Sequence, residues 1–180
     1  MLLATERLVL RRFRLADAAT LAAYRSDPDV ARYQSWSAPF PPERARALVA
    51  GFVARDPESP GWFQWAIEHA ADRVHIGDLG VALHENRMQA EIGFTLAPAY
   101  QGRGYAAEAV RGMLDHLFRV RGLHKVSAEA DARNIASARV LERVGFVREG
   151  LLRSHTWIKN EWTDDLIYGL LADEWLLRPR

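Results

Sequence analysis

The segment TLAPAYQGRGYAAEAVRGML, which begins at Thr95, places the tightest limits on what this chain can fold into. An apolar, strand-like run ends at Pro98, and an alanine-rich amphipathic run begins a few residues later. Between them stand Gly102 and Gly104. Glycine weakens a helix, so a pair of glycines at a helix entrance needs a separate explanation.

Anion binding explains the two glycines. The first turn of a helix leaves several backbone N–H groups without partners and carries about half a positive charge. Glycines there let the backbone curl so that these groups converge on one anion, with no Cβ atoms in the way. We therefore expect a pyrophosphate on the amides of residues 101–106, with Arg103 adding a local positive charge.

Two other interpretations of the glycines stay open. The first is a simple tight turn that feeds a helix, since short glycine-rich matches are common. The second is a nicotinamide-dinucleotide site, because Gly102, Gly104 and Ala107 satisfy the G-x-G-x-x-G/A pattern and Asp131 ends the next predicted strand. That fold requires the motif in the first unit of a parallel sheet, whereas an antiparallel meander precedes it here.

Hydrophobic periodicity predicts one domain over residues 1–180 with the order β-α-α-β-β-β-α-β-α-β-β. Helices therefore interleave with a mainly antiparallel sheet, which is an α+β or mixed α/β layer fold. The predicted strands cover residues 7–13, 62–70, 74–83, 88–98, 125–132, 146–158 and 163–171. The predicted helices cover the region of Leu15 to Tyr24 and residues 43–56, 104–121 and 134–145.

Composition narrows the function classes. The 180 residues are 49% apolar and 26% charged, with a net charge of +1 and no cysteine. So small a net charge gives no overall electrostatic attraction to nucleic acid or to a membrane. Without cysteine, neither disulfides nor thiolate chemistry is available. The six histidines show no metal-ligand spacing, so we expect no metal. Neither a secretory signal nor a membrane span is visible, and we expect a cytoplasmic protein.

Five sequence blocks together resemble one enzyme family. QGRGYA, with Gln101, Gly104 and Ala106, resembles the Q/R-x-x-G-x-G/A signature of the GCN5-related N-acetyltransferases (GNAT), as does NIASARVLERVGF with Asn134, Glu142, Gly145 and Phe146. TERLVLRRF, SDPDVARY and EWTDDLIYGLL are similar to the branch that includes the bacterial ribosomal-protein N-terminal acetyltransferases. The likeness extends over about residues 5–175.

The resemblance implies a GNAT fold, with a mostly antiparallel seven-stranded sheet, about four flanking helices and splayed central strands. Acetyl-CoA would lie in the V-shaped slot between EIGFTLA and VSAEADA. The expected cofactor contacts are Phe94, Thr95 and Leu96 for the pantetheine, Gln101, Gly102, Arg103, Gly104, Tyr105 and Ala106 for the pyrophosphate, and Asn134 and Ser137.

Acetyl transfer to an amine needs a base, an oxyanion site and an acid for the leaving thiolate. Glu91 is the expected base, through a water, unless it is only a solvent-facing strand carboxylate paired with an arginine. Many relatives use a tyrosine as the acid, but this chain has Leu141 at that position. The resemblance points to Ser137 instead, although Asn134 and Ser137 are also ordinary N-cap and N3 residues of a helix.

The acceptor contacts are expected after the first helix and on the last two strands. The candidates are Arg32, Tyr33, Trp36, Trp157, Trp162 and Asp164, and core packing is the alternative for each tryptophan. The function expected is acetyl-CoA-dependent N-acetylation of a primary amine, either a protein N-terminus or a small molecule. A non-catalytic acyl-CoA-binding module is the alternative that the missing tyrosine keeps open. Relatives often form homodimers, which the tryptophan-rich terminal strands would support.

Overall fold

The structure, a computed structural model, describes residues 3–177. Its strands are β1 (Leu3–Ala4), β2 (Leu8–Arg12), β3 (Gly61–His69), β4 (Val74–Leu83), β5 (Gln89–Leu96), β6 (Lys125–Asp131), β7 (Val147–Ile158) and β8 (Glu161–Leu171). Its α-helices are α1 (Ala18–Arg25), α2 (Pro28–Ala31), α3 (Pro42–Ala54), α4 (Tyr105–Asp115), α5 (Ile135–Val144) and α6 (Ala172–Leu176). None of these helices is both long and apolar enough to cross a membrane.

The predicted fold class is confirmed, but the predicted count of elements is wrong. Within residues 3–177 the sheet has eight strands rather than seven, and the α-helices number six rather than about four. The additional strand, β1, has two residues, too few for a period-2 pattern to be visible. The additional helices α2 and α6 have four and five residues, shorter than the run in which a helical period can be recognised.

All eight strands belong to one sheet in the order β1-β2-β3-β4-β5-β6-β8-β7. Every neighbouring pair is antiparallel except β5 and β6, which are parallel. Helix α4 makes the crossover between these two strands, as a parallel connection requires. The sheet therefore changes direction at its centre, beside the end of β5.

The two faces of the central strands differ in character because side chains alternate along a strand. One face carries Leu79, Val81 and Ile92, which pack in one buried cluster with Met113 of α4 and Leu141 of α5. The same cluster contains four more apolar residues of the chain between the glycine turn and β6: Val110, Leu114, Leu117 and Phe118. The opposite face is polar and glycine-rich around the middle of β4 and β5, and it is the face on which the functional site forms.

The central strands separate as the sequence resemblance implied. Strands β5 and β6 are paired from Gln89 with Lys125 to Ile92 with Ala128. Strand β5 continues to Leu96, where it still pairs with Gly77 of β4. Within the described chain, residues 93–96 thus have a strand on one side only, and the gap on the other side opens toward the glycine turn.

Candidate active site

The glycine turn has the backbone geometry that an anion site requires. Gly102 and Gly104 have φ angles of +72° and +83°, in the left-handed region that favours glycine, and Gly104 is the N-cap of α4. The first hydrogen bond of the helix runs from the Glu108 N–H to the Gly104 carbonyl at 3.0 Å. Among residues 3–177, nothing accepts a hydrogen bond from the amides of residues 102–107. Six donors are therefore available at the positive end of α4.

Neighbouring side chains hold this turn in place. The Gln101 amide donates to the Leu96 carbonyl at 2.9 Å, which ties the turn to the end of β5. Arg7 donates to the Arg103 carbonyl at 3.2 Å and stacks over the Tyr105 ring with its Cζ 4.5 Å from the centroid. Gln101 to Gly104 are exposed, Tyr105 is buried and Ala106 is half-buried, so the turn is accessible on a fixed base.

Glu108, in the first turns of α4, is bound to donors from the segment between β1 and β2. Its carboxylate accepts hydrogen bonds from the Thr5 hydroxyl at 2.6 Å, from the Arg7 N–H at 2.7 Å and from Arg7 Nε at 2.7 Å. Despite partial burial, these donors lower the pKa of Glu108, so the carboxylate is ionised at neutral pH. The Arg7 guanidinium balances this negative charge at the start of α4.

A cavity of about 540 Å³ opens on the polar face of the sheet, where β5 and β6 separate. It brings together seven of the predicted site residues from three parts of the chain, namely the loop after α2, strand β5 and the start of α5: Tyr33, Trp36, Glu91, Phe94, Thr95, Asn134 and Ser137. The predicted residues outside its lining are Arg32, Leu96, Trp157, Trp162, Asp164 and those of the glycine turn. A chain region of more than 100 residues thus converges on one site.

Carboxylates dominate the polar lining of this cavity. Burial raises the pKa of Glu91 above its ordinary value, and the nearby His84 opposes the shift. Desolvation, together with the Asp165 and Glu91 carboxylates, raises the pKa of Glu129. Asp165 is only 4% exposed, and its Oδ2 accepts a hydrogen bond from the Thr156 hydroxyl at 2.6 Å. A carboxylate whose pKa is raised takes up a proton more readily than an ordinary one, which suits a general base.

Glu129 and Asp165 are site residues that the sequence reasoning did not identify. The alternation in KVSAEADA places Glu129 on the same face as Ser127, but only the parallel pairing of Ser127 with Glu91 places that face in the cavity. Asp165 is brought there by the pairing of β8 with β6. The sequence reasoning selected its neighbour Asp164, which instead accepts a hydrogen bond from the Ser154 N–H at 2.7 Å.

Glu129 and Asp165 also meet His155, so that one ligand atom of each lies within 4.8 Å of the others. These three residues come from β6, β8 and β7, and their spacing along the chain shows no metal-ligand motif. The prediction that no metal is bound was made from chain spacing alone, which does not reveal such a tertiary cluster.

Helix α5 presents the predicted acid to the cavity. Asn134 is its N-cap, with Oδ1 accepting the Ser137 N–H at 3.1 Å, and Gly145 closes it with a φ of +111°. Ser137 is half-buried and lines the cavity, as does Leu141 one turn later. The capping role of Asn134 and its position at the cavity are therefore compatible.

The wall farthest from α5 is formed around Asp78 of β4, which is 3% exposed. The Tyr24 hydroxyl donates a short hydrogen bond to its Oδ2, and Arg25 Nη2 lies 3.6 Å from the same atom. Arg25 also stacks on Trp36, with Cζ 4.1 Å from the ring centroid, while the Trp36 indole N–H donates to the Arg25 carbonyl at 3.2 Å. Trp36 is therefore at once core and cavity wall.

The remaining acceptor candidates lie on the outside of the molecule. Arg32 is exposed and 3.7 Å from Asp29. Trp157 and Trp162 are 56% and 60% exposed and contact each other across β7 and β8, with ring centroids 5.3 Å apart. Since Thr156 and Ile158 line the cavity, the alternation along β7 directs Trp157 to the opposite face.

The fold and this site define an acyl-CoA-dependent transferase, and comparison with known proteins gives the family. The family described as "Acetyltransferase (GNAT) domain" matches residues 7–147. The chain belongs to the GNAT acetyltransferase family and is an N-acetyltransferase; enzymes of this family use acetyl-CoA. The resemblance inferred from the sequence blocks is thereby confirmed.

Relatives and solved structures agree with this assignment. The uncharacterized N-acetyltransferase p20 of Bacillus licheniformis is 32% identical over 172 residues, which cover 95% of this chain and 96% of the relative. A GNAT-family acetyltransferase from Bacillus anthracis has a TM-score of 0.87 and 28% identity, covering 97% of this chain and all of its own.

Two further similar proteins have named acceptors. The alanine N-acetyltransferase of ribosomal protein uS5 from Escherichia coli is 26% identical over 84 residues, covering 47% of this chain and 43% of its own. The spermidine N-acetyltransferase of Vibrio cholerae, solved with CoA and spermine, has a TM-score of 0.81 and 21% identity, covering 96% of this chain and 99% of its own. The second likeness concerns the fold alone.

Proposed function

We propose that this chain transfers the acetyl group of acetyl-CoA directly to a primary amine that is bound at the same time. The observation that carries the proposal is the position of two features beside the same gap in the sheet. One is the set of six available amides at the N-terminus of α4, and the other is the carboxylate-lined cavity. A diphosphate at the first places the far end of a long, thin cofactor within reach of the second.

The cofactor contacts expected from the sequence are consistent with this arrangement. Residues 93–96 of β5 have no strand on the β6 side, so a pantetheine chain has room to add there as a strand would. Phe94 and Thr95 border the cavity along this segment. Asn134 and Ser137 border it from α5, on the other side of the gap.

In the proposed reaction the amine nitrogen attacks the thioester carbonyl carbon, and the carbon–sulfur bond then breaks. The proton of the ammonium group passes to Glu91 through a water, or to the neighbouring Glu129, whose carboxylate is held at a raised pKa. Ser137 supplies a proton to the departing thiolate, and the second proton that the nitrogen loses as the amide forms restores the Ser137 hydroxyl through solvent. The acid-lined cavity favours acceptors that arrive as cations.

The acceptor is a protein N-terminal amine or a small-molecule amine. An α-amine with a pKa near 8 needs little help to lose its proton, which suits the first. The acceptors named for similar proteins, an alanine of ribosomal protein uS5 and spermidine, are a protein and a small molecule respectively. The acidic cavity is compatible with both, so the acceptor class must be found by assay.

The test uses acetyl-CoA and a panel of amines that contains N-terminal peptides, polyamines and amino acids. We expect acetyl-CoA, and not NAD, to raise the melting temperature. At 100 times its Kd, a bound ligand adds about 2.7 kcal/mol to the free energy of unfolding. Thiol release together with a mass shift of 42 Da, about the mass of one added acetyl group, in one class of amine would identify the acceptor. Binding without thiol release for any amine would instead support the non-catalytic CoA-binding alternative.

We also propose that two copies associate through the last two strands. Strand β7 is at the edge of the sheet, and Trp157 and Trp162 expose a contiguous aromatic surface beside it. Light scattering at micromolar concentration should give twice the chain mass, and Trp157→Ser with Trp162→Ser should give the mass of one chain. A monomer in the unchanged protein would contradict this proposal.

A further inference from the structure

Two glycines interrupt the polar face of the sheet at the centre of the cavity. Gly80 of β4 pairs with Gly93 of β5, and on the other side of β4 the partner of Gly80 is Gln64 of β3. All three residues line the cavity. These three paired residues, side by side on β3, β4 and β5, carry only one side chain, that of Gln64, where three neighbouring strands ordinarily carry three. A depression therefore lies between Asp78 and Glu91, which belong to the neighbouring paired positions on the same face.

The residues of β3 fill part of this depression, and they do so because residue 80 has no side chain. A Cβ atom on Gly80 would lie 2.7 Å from Gln64 Oε1, 3.0 Å from Gln64 Nε2 and 3.0 Å from Trp62 Cζ3. A Cβ atom on Gly93 would meet only the same indole, at an ordinary 4.0 Å. The space above Gly80 is thus occupied by Gln64 and Trp62, whereas Gly93 tolerates a methyl group.

The two side chains form a floor under the acceptor part of the cavity. Trp62 is 44% exposed, although it is large and apolar, so one surface of its indole is presented to solvent. An ammonium group gains about 0.5–2 kcal/mol over the face of a tryptophan. Gln64 Oε1 is buried and has no hydrogen-bond partner within residues 3–177, which indicates that the amide is held there by packing rather than by polar contacts.

We propose that Gly80 is a specificity-determining residue of the acceptor site. Its missing side chain sets the depth of the floor made by Trp62 and Gln64, and this depth decides how large a group can accompany the reacting amine. The floor stands beside Glu91 and opposite the gap in which acetyl-CoA is expected, so it faces the acceptor. This inference rests on the proposed function, because it assigns a size limit to the amine in that reaction.

The proposal can be tested because the protein can fold with alanine at this position. The atoms near Gly80 are the ends of two side chains, and Trp62 is free to move toward solvent. Gly77, three residues earlier, is different. A Cβ there would collide with the Thr95 backbone carbonyl, and the sheet itself would have to shift. Gly80→Ala should therefore lift the floor, while Gly77→Ala would damage the sheet.

The experiment compares Gly80→Ala with the unchanged protein on glycinamide, alaninamide, phenylalaninamide and spermidine. We expect KM to rise about tenfold for the largest accepted amine, the effect of roughly one methylene on a pocket, and less than threefold for glycinamide. The Kd for acetyl-CoA should stay the same. Gly51→Ala, on an exposed helix position with no atom within 4 Å of the added Cβ, is the matched control and should change neither quantity.

A second substitution separates an altered floor from a weakened sheet. Gln64→Ala in the Gly80→Ala background removes the side chain that the new methyl group displaces, and it should bring KM for the large amine back to within about threefold. Equal losses for all amines, or no recovery in the double variant, would overturn the proposal.

The failure of the proposed function gives a different result. In that case the unchanged protein forms no acetylated amine from any of the four compounds. Calorimetric titration of the same amines into CoA-saturated protein then decides the inference by itself. Selective weakening of the larger amines by Gly80→Ala supports it, and the absence of amine binding at millimolar concentration overturns it.

Discussion

The glycine turn and the carboxylate-lined cavity lie beside the same gap in the sheet, yet they are built in opposite ways. The turn is a continuous piece of chain whose available groups are backbone amides of residues 102–107. The cavity is lined by side chains from the segment after α2, from β3 to β8 and from α5. The turn therefore depends on which backbone angles are allowed, and the cavity depends on which side chains the sheet brings together.

This difference indicates which substitutions each part of the candidate site can tolerate. A side chain in the turn can vary as long as the backbone keeps its positive φ angles, because the donors are main-chain groups. In the cavity a change at one position alters its neighbours, as the contacts around Gly80 show. Binding of acetyl-CoA and choice of acceptor should then respond to different substitutions, and the following predictions test that separation.

The largest effect is expected in the cavity. Glu91→Gln and Glu129→Gln should each leave the Kd for acetyl-CoA unchanged, and at least one of them should lower kcat/KM about 100-fold or more, the usual value of a general base. The loss should be greatest at pH values above the pKa of the carboxyl group and below that of the amine, where the base is ionised and the amine still holds its proton. The measurement is the pH dependence of kcat/KM for each variant.

The pKa shifts of the two carboxyl groups predict the direction in which activity changes with pH. Because both folded carboxyl groups have a pKa above the ordinary 4.5, activity of the unchanged protein should fall as pH decreases through a value higher than 4.5. The variant that removes the base should lose this acid limb. If both variants keep the unchanged profile, neither carboxylate takes the proton.

A smaller effect is expected in the turn. Gly104→Ala places a Cβ at a φ of +83° and disturbs at least one amide contact to the diphosphate. Acetyl-CoA should bind about 30-fold more weakly, which corresponds to about 2 kcal/mol for one charge-assisted hydrogen bond. The ratio of kcat/KM between two acceptors should not change. Calorimetric titration and two-substrate kinetics measure these quantities.

Gly122→Ala is the matched control for that variant. Gly122 also has a positive φ, of +69°, and no atom within 4 Å of an added Cβ, but it lies at the other end of the α4 region. It should cost similar stability without affecting acetyl-CoA. An equal loss of affinity in both variants would mean that backbone strain, and not the turn, accounts for the effect.

The next effect concerns Ser137, which belongs to α5 and faces the cavity. Ser137→Ala should lower kcat about tenfold, at the weak end of acid catalysis because solvent can replace the hydroxyl, and leave the Kd for acetyl-CoA within twofold. The Asn134 cap uses the Ser137 N–H and not its hydroxyl, so the helix should keep its stability. Full turnover in the variant would assign protonation of the thiolate to water.

The smallest effect is expected for Glu108, whose contacts lie outside the cavity and beside the glycine turn. Glu108→Gln weakens the contacts of α4 with Thr5 and Arg7 and should lower the free energy of unfolding by about 1.5 kcal/mol, since Arg7 is partly exposed to solvent. The pKa of Glu108 is lowered in the folded protein. Its contribution is therefore present above the ordinary 4.5 and is lost as pH falls through the lower folded value.

Chemical denaturation at two pH values measures this contribution. The unchanged protein and Glu108→Gln should differ at neutral pH and converge under acidic conditions. Glu6→Gln, a nearby exposed position, is the control and should match the unchanged protein at both. A constant difference across the pH range would show that the carboxylate charge is not what stabilises this contact.

The order of the main elements could be predicted from the sequence because each has a local cause. Strand β4 has the bounds that alternation predicted, and α5 begins at its Asn134 cap and ends before Gly145, as its capping residues require. The helix after the glycine turn was predicted to reach residue 121, but α4 ends at Asp115 and a π-helical segment, His116–Val120, follows. Periodicity does not distinguish these two forms over five residues.

What the sequence determined by itself was the glycine turn at the start of α4, because two glycines, a strand before them and a helix after them act through contiguous backbone. The tertiary structure alone decided which side chains line the cavity. Glu129 enters the cavity through the pairing of β6 with β5, and Asp165 enters through the pairing of β8 with β6. Strand register is a property of two distant segments together, and no pattern within one of them specifies which side chain of the other will stand beside it.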